Sequence, residues 1–203
     1  MCTIILIPKG VEPDYNLIKQ RYLSNSDSWG FSHIKNDNLN VVRGVGGDFG
    51  SLRENLSQAV RDRGENGKDI VLHLRTATSG EKKDQGTQPI KVNGTAFFLN
   101  GNLKDYFGKR VPDTLLYATE YIAKLPKNFL ENAQICEKIQ QDAIINNAVM
   151  AFMDSKGQTH IMNQERGVWE EGMWFSNPRV GNYAGFGYSG VYQYKNGEKR
   201  YNI

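Results

Sequence analysis

The sequence predicts an α+β protein of layered architecture, two sheets with helices outside them, on three observations. A continuously apolar, β-rich run occupies residues 2–7, as expected of a strand covered on both faces. Further strand-like segments follow, then two helical patterns in succession, then strands again. The composition, 39% hydrophobic and 23% charged, suits a packed core and not a disordered chain.

Taken in order, residues 14–23 place Tyr15, Ile18 and Tyr22 at helical spacing before Asn25-Ser26-Asp27-Ser28 breaks the pattern. Residues 30–34 and 39–43 read as a hairpin around Asn36-Asp37-Asn38. Gly44, Gly46, Gly47 and Gly50 surround the next turn but miss the GxGxxG register, which argues against a dinucleotide loop. Phe49, Leu52, Leu56, Ala59 and Val60 line one face of a helix ending near Gly64. Strands are expected at 70–74 and 96–99. The polar stretch 76–94 between them is longer than an ordinary connection and is read as functional. Leu115, Ala118, Ile122 and Leu125 mark a helix starting at Asp113, and Ile135, Ile139 and Ala143 mark another. Segments 148–153, 159–162 and 173–175 read as strands, with Lys156-Gly157 as the first turn. After Asn177 the character changes: five of the chain's ten tyrosines fall there among glycines, which predicts irregular β structure or a partner-binding tail.

Several function classes fall away on composition. The 25 Lys and Arg are interspersed with 22 Asp and Glu, so the net charge of +3 forms no basic block for nucleic acid. Apolar runs such as Ile4-Ile5-Leu6-Ile7 are far shorter than the roughly 20 residues that span a bilayer, so no membrane segment is predicted. The residues after Met1 carry no basic region and no cleavage motif, and a cytoplasmic protein with reduced thiols is expected. Cys2 and Cys136 form no ligand spacing with each other or with His33, His73 and His160, so neither a metal nor a cofactor is expected.

The chemistry rests on four places. If Met1 is removed, Cys2 carries the free α-amine beside its thiol, and an amine titrating near 7.7–8.0 can take the thiol proton. Read alone, a cysteine there is equally a small residue starting a buried strand. His73-Leu74-Arg75-Thr76-Ala77-Thr78-Ser79-Gly80 ends a strand with an arginine whose fork of donors can grip a carboxylate, although a surface arginine is the plainer reading. Leu99-Asn100-Gly101-Asn102 follows an apolar strand and offers a side-chain amide beside a glycine N–H, two donors for a developing oxyanion; a plain Asn-Gly turn is the alternative. Pro112-Asp113-Thr114 opens a helix, where Asp is also an ordinary cap.

The order of these motifs resembles the glutaminase domain of class II glutamine amidotransferases, in its small stand-alone form. Asp27-Ser28-Trp29-Gly30-Phe31, Thr87-Gln88-Pro89, Gly167-Val168-Trp169 and Met173-Trp174-Phe175-Ser176-Asn177 also look like segments of that family. The resemblance covers about 2–177 of a single domain 1–203, leaving 178–203 as an extension. It implies the four-layer αββα sandwich of N-terminal-nucleophile hydrolases. It further implies that Cys2 attacks the side-chain amide of glutamine, that Asn100 and the Gly101 N–H stabilise the oxyanion, that Arg75 and Thr78 hold the substrate carboxylate, and that Asp113 holds its ammonium. Water then releases glutamate, and the ammonia serves a separate acceptor synthetase. The chain departs from the family where Ser79 and Gln88 replace histidines and Ser24-Asn25 replaces Arg-Gly, and Asp105 is a second candidate for the role of Asp113. Two other readings stay open: an amidohydrolase of another γ-glutamyl or small amide, and a catalytically silent scaffold.

Overall fold

A computed structural model describes residues 2–46, 48–64, 67–76, 86–106 and 110–178, together with the backbone of 192–195 and 198–201. Strand β1 (Thr3–Ile7) leads to helix α1 (Tyr15–Leu23), whose first turn is capped by the Asp14 carboxylate accepting from the N–H groups of Asn16 and Leu17. Strands β2 (Ser28–Lys35) and β3 (Asn38–Val45) form a hairpin. Its two-residue turn has positive φ at both Asn36 (49°) and Asp37 (59°), the left-handed backbone that Asn and Asp tolerate best. Helix α2 (Phe49–Arg63) is capped by Asp48 and stops at Gly64 with φ of 60°. Strand β4 (Ile70–Arg75) follows, then the hairpin of β5 (Ile90–Val92) and β6 (Thr95–Asn100). Helices α3 (Asp113–Glu120) and α4 (Ala133–Ile145) precede β7 (Val149–Met153), β8 (Thr159–Met162), β9 (Val168–Glu170) and β10 (Met173–Phe175). The backbones of β11 (Tyr192–Lys195) and β12 (Glu198–Tyr201) pair antiparallel within the tyrosine-rich tail.

Two sheets organise the chain, ordered β3-β2-β4-β1-β10-β9 and β5-β6-β7-β8, with every pairing antiparallel. Three buried layers follow from strand alternation. Ile5 and Ile7 of β1 join Leu72 of β4 against Ile18 of α1 and Leu52 and Leu56 of α2. Phe97 and Leu99 of β6 join Phe152 of β7 against Ala118 of α3 and Ile139 of α4. The intervening residues, Ile4 and Leu6 of β1, Val71 of β4, Ala96 and Phe98 of β6, Ala151 and Met153 of β7 and Trp174 of β10, pack between the sheets. The result is the four-layer αββα sandwich. Each fully buried large side chain contributes roughly 1.5–3 kcal/mol of transfer free energy, and residues 4, 5 and 7 of β1 are all 0% exposed.

Two expectations need correction. The polar stretch 76–94 ends in a strand: β5 is only three residues long and sits at a sheet edge, below the length at which alternation is readable. The helix begun at Asp113 does not run to Leu125. It ends at Glu120, and a 3-10 turn covers Ile122–Lys124. Pro126 has no N–H to offer the Ile122 carbonyl and disfavours helix at Leu125; Asn93, in the β5–β6 turn, donates its side-chain amide to the carbonyls of Ile122 (3.3 Å) and Leu125 (2.8 Å) instead. Strand β9 falls on the Gly167-Val168-Trp169 segment that the resemblance marks, at the outer edge of its sheet and paired to β10.

Candidate active site

The inter-sheet layer changes character toward one end. Cys2 precedes β1 with the parity of Ile4 and Leu6, Arg75 follows Val71 and His73 on β4, and Asn100 follows Ala96 and Phe98 on β6. Alternation therefore sends the ends of three strands, from both sheets, toward the same region. There a cleft of about 100 Å3 is lined by Cys2, Arg75, Asn100, Gly101 and Asp113, together with Gln88 and other loop residues. That volume is well under the roughly 300–1,000 Å3 of sites for drug-sized ligands and suits a small polar group.

Cys2 is half-buried, and its thiol lies 3.6 Å from the Thr76 carbonyl, to which it donates. Burial pushes the thiol above its ordinary range, while the Thr76 backbone and the Arg75 guanidinium oppose the rise. A thiol in this state needs a base to become nucleophilic. Thr76 is itself held: its hydroxyl lies 2.8 Å from Oδ1 of Asn25, whose Nδ2 donates to the Arg21 carbonyl at 2.8 Å. Asn25, read from the sequence only as a departure, thus fixes the backbone against which the thiol rests.

Arg75 is 8% exposed, and its guanidinium lies so close to Gly86 that a Cβ there would come within 2.5 Å of Nη2. Only glycine admits that approach. Neighbouring His73 is fully buried, and burial, followed by the charge of Arg75, lowers its pKa to about 3, so the ring is neutral.

Asn100 ends β6 with 0% exposure, and its side-chain amide lies 2.7 Å from the Ser176 hydroxyl. Gly101 has φ of 137°, and a Cβ at this position would stand 2.7 Å from the Cβ of Ala148. Sterics and dihedral both demand glycine, which leaves its N–H beside the Asn100 amide in the cleft wall. Asp113 lines the same cleft; Oδ2 accepts from the Leu103 N–H at 2.8 Å and Oδ1 from the Thr114 N–H at 2.8 Å. Two backbone bonds fix a carboxylate that retains lone pairs for a cation. Asp105 is exposed and does not line the cleft.

Gln88 closes one wall. Its Oε1 accepts from the Leu99 N–H at 2.6 Å, and its Nε2 donates to the Leu99 carbonyl at 3.1 Å and the Thr114 hydroxyl at 3.2 Å. Both ends of its amide are therefore spent on fastening the loop to β6 and α3. Thr78 and Ser79 lie outside the described residues. Cys136 is far from this chemistry, part of the packing around α4 with its thiol 3.4 Å from the Leu130 carbonyl.

Two further groups, at the end of the quoted segment Met173-Trp174-Phe175-Ser176-Asn177, have no role assigned from the sequence. Ser176 follows β10; its hydroxyl accepts from the Ile4 N–H at 2.9 Å as well as contacting Asn100. Asn177 places Nδ2 3.4 Å from the Cys2 carbonyl. A serine and an asparagine after a short apolar strand carry no distinctive spacing, so only the folded chain reveals what they touch. Among the described residues no helix is long and apolar enough to cross a membrane.

No protein-family model and no curated protein sequence matches the chain. Among solved structures, glutamine phosphoribosylpyrophosphate amidotransferase from B. subtilis, complexed with ADP and GMP, is similar over 86% of this chain at 13% identity and a TM-score of 0.45. The allosteric regulatory enzyme of purine biosynthesis is similar over 86% at 12% identity and a TM-score of 0.46. The chain spans 41% of the length of each.

Proposed function

We propose that this chain hydrolyses the side-chain amide of glutamine through a Cys2 thioester. The observation that carries the reading is the convergence on one small cleft of Cys2, the Asn100-Gly101 pair, Arg75 and Asp113. A free amino acid carries a carboxylate and an ammonium at one end, and Arg75 and Asp113 are complementary to that pair. At the other end, the Cys2 thiol passes its proton to the α-amine exposed by loss of Met1, and the sulfur attacks the amide carbon. The carbonyl oxygen takes the negative charge and is stabilised by donors from Asn100 and Gly101. Collapse of the tetrahedral intermediate breaks the C–N bond; nitrogen takes a proton and leaves as ammonia. Water then attacks the thioester, restoring the thiol and releasing glutamate. The ammonia is consumed by a separate acceptor synthetase.

The test is ammonia release by protein whose first residue is Cys2, compared across glutamine, asparagine and γ-glutamyl amides. Glutamine is expected to be turned over fastest, and activity is expected to rise when an acceptor enzyme and its substrate are supplied. Preference for another amide would retain the nucleophile and reassign the substrate. Silence toward every amide would support a scaffold role. Because Gln88 is held at both ends by Leu99, its replacement of the family's histidine does not itself argue for a different substrate.

A further inference from the structure

The Ser176 hydroxyl joins the strand leading from Cys2 to the strand ending in Asn100. Its backbone N–H donates to the Ile4 carbonyl at 2.9 Å, its Oγ accepts from the Ile4 N–H at 2.9 Å, and the Asn100 amide lies 2.7 Å from the same oxygen. Ile4 belongs to the six-stranded sheet and Asn100 to the four-stranded one, and Ser176 is 0% exposed.

The proton count decides how these groups are used. With Nδ2 of Asn100 directed at Ser176, the hydroxyl oxygen accepts twice, and Oδ1 of Asn100 is left buried without a partner. A buried acceptor without a partner is costly, because it has lost its water and gained nothing in return. The two ends of a carboxamide are nearly equal in size, so a half-turn about its last torsion changes no packing. After that turn the Ser176 O–H donates to Oδ1, its oxygen keeps the Ile4 N–H, and Nδ2 takes the outward position in the cleft wall. Oδ1, the Ser176 hydroxyl and the Ile4 N–H are then all partnered, and a donor stands where the unpartnered acceptor stood.

We infer that Ser176 is a positioning residue: its hydroxyl donates to the Asn100 carbonyl oxygen and so turns the Asn100 N–H toward the reacting carbonyl. The inference deepens the glutamine-hydrolase reading and rests on it. Tethering to Ile4 fixes the serine relative to the strand that carries the nucleophile, so thiol and oxyanion donor share one reference point. An asparagine free to rotate would present either an acceptor, repelling the oxyanion, or a donor.

The experiment is a mutant cycle on protein beginning at Cys2. Ser176→Ala is expected to lower kcat for glutamine at least about 10-fold, short of the about 10²–10³-fold expected for removing the donor itself, with KM nearly unchanged. Ser176→Thr, which keeps the hydroxyl, is expected to recover turnover. In an Asn100→Ala background, Ser176→Ala is expected to cost nothing more. Iodoacetamide labelling of Cys2 is expected to persist in Ser176→Ala, which separates a misaimed donor from a disordered strand. Full kcat in Ser176→Ala, losses that multiply in the double variant, or labelling lost in step with kcat would each overturn the proposal. Should wild-type protein fail to hydrolyse glutamine, the substrate reading falls, and the bond itself is still measured by the Asn100 ¹³Cγ resonance. That resonance is expected to move on Ser176→Ala, and an unmoved one overturns the proposal.

Discussion

The two ends of the inter-sheet layer are built from the same strands and differ in what they are for. At one end Leu6, Val71, Ala96, Ala151, Met153 and Trp174 fill the space with apolar volume. At the other, the continuation of those strands brings Cys2, Arg75 and Asn100 to the cleft, with His73, Ser28 and Ser176 buried nearby in the strands or just beyond them. Strand alternation makes both ends inward-facing, so the active region uses an orientation that the apolar end secures. The polar end then depends on individual bonds where the apolar end depends on contact area. Ser176 to Asn100, Asn25 to Thr76 and Gln88 to Leu99 each fix one group by one or two hydrogen bonds. Substitutions at the apolar end should therefore read out as stability and those at the polar end as turnover.

The largest expected effect at the apolar end is that of Phe98→Ala, two residues before Asn100 on the same face. Phe98 is 0% exposed, and its truncation should destabilise by about 3–5 kcal/mol in chemical denaturation. Folded enzyme should keep nearly normal kcat, and a catalytic loss without a stability loss would erase the distinction. Asn100→Ala should behave oppositely, lowering kcat by about 10²–10³-fold with a smaller shift in the denaturation midpoint. Arg75→Ala should raise KM for glutamine roughly 10-fold or more, because charge-assisted bonds of about 1.5–3 kcal/mol hold the substrate in ground and transition state alike. Alkylation of Cys2 by a neutral reagent should slow by less than that, since Arg75 is one of the weaker influences holding the thiol down.

A smaller effect separates the two ends by pH. His73 titrates near 6.5 when unfolded and at about 3 when buried, so between those values the unfolded chain binds the extra proton. Its contribution to stability is fully present above about pH 6.5, shrinks as pH falls, and is exhausted near pH 3. His73→Asn should flatten that part of the stability profile relative to wild type, and identical slopes would show that His73 is not neutral in the fold.

The pattern of the sequence reached the architecture where periodicity was long enough to read. The run from Ile4 to Ile7 was expected to be covered on both faces, and its side chains divide between two cores. The helix from Phe49 ends at Gly64 as anticipated, since the terminating dihedral is one that glycine adopts freely. Strand β5 escaped because it holds only three residues and lies at a sheet edge beside a long polar stretch. The 3-10 turn after α3 escaped for another reason: the Asn93 amide that takes the Ile122 carbonyl is 29 residues upstream and meets it only once the chain is folded. Within the cleft, Cys2, Arg75, Asn100, Gly101 and Asp113 could be named from motif order, and the fold brings them to one cleft. Ser176, Asn25 and the latch made by Gln88 could not, because their importance lies in partners 76, 51 and 11 residues away.

The most direct measurement is peptide mapping after 6-diazo-5-oxo-norleucine, a glutamine-like electrophile, is given to protein beginning at Cys2. The cleft lined by Arg75 and Asp113 should hold the reagent's amino-acid end, while Cys136 packs near α4 and has no such groups around it. A single adduct on Cys2, formed with loss of ammonia release and prevented by excess glutamine, is the result predicted. An adduct on Cys136 alone, or turnover of glutamine that survives Cys2→Ala, would contradict the account.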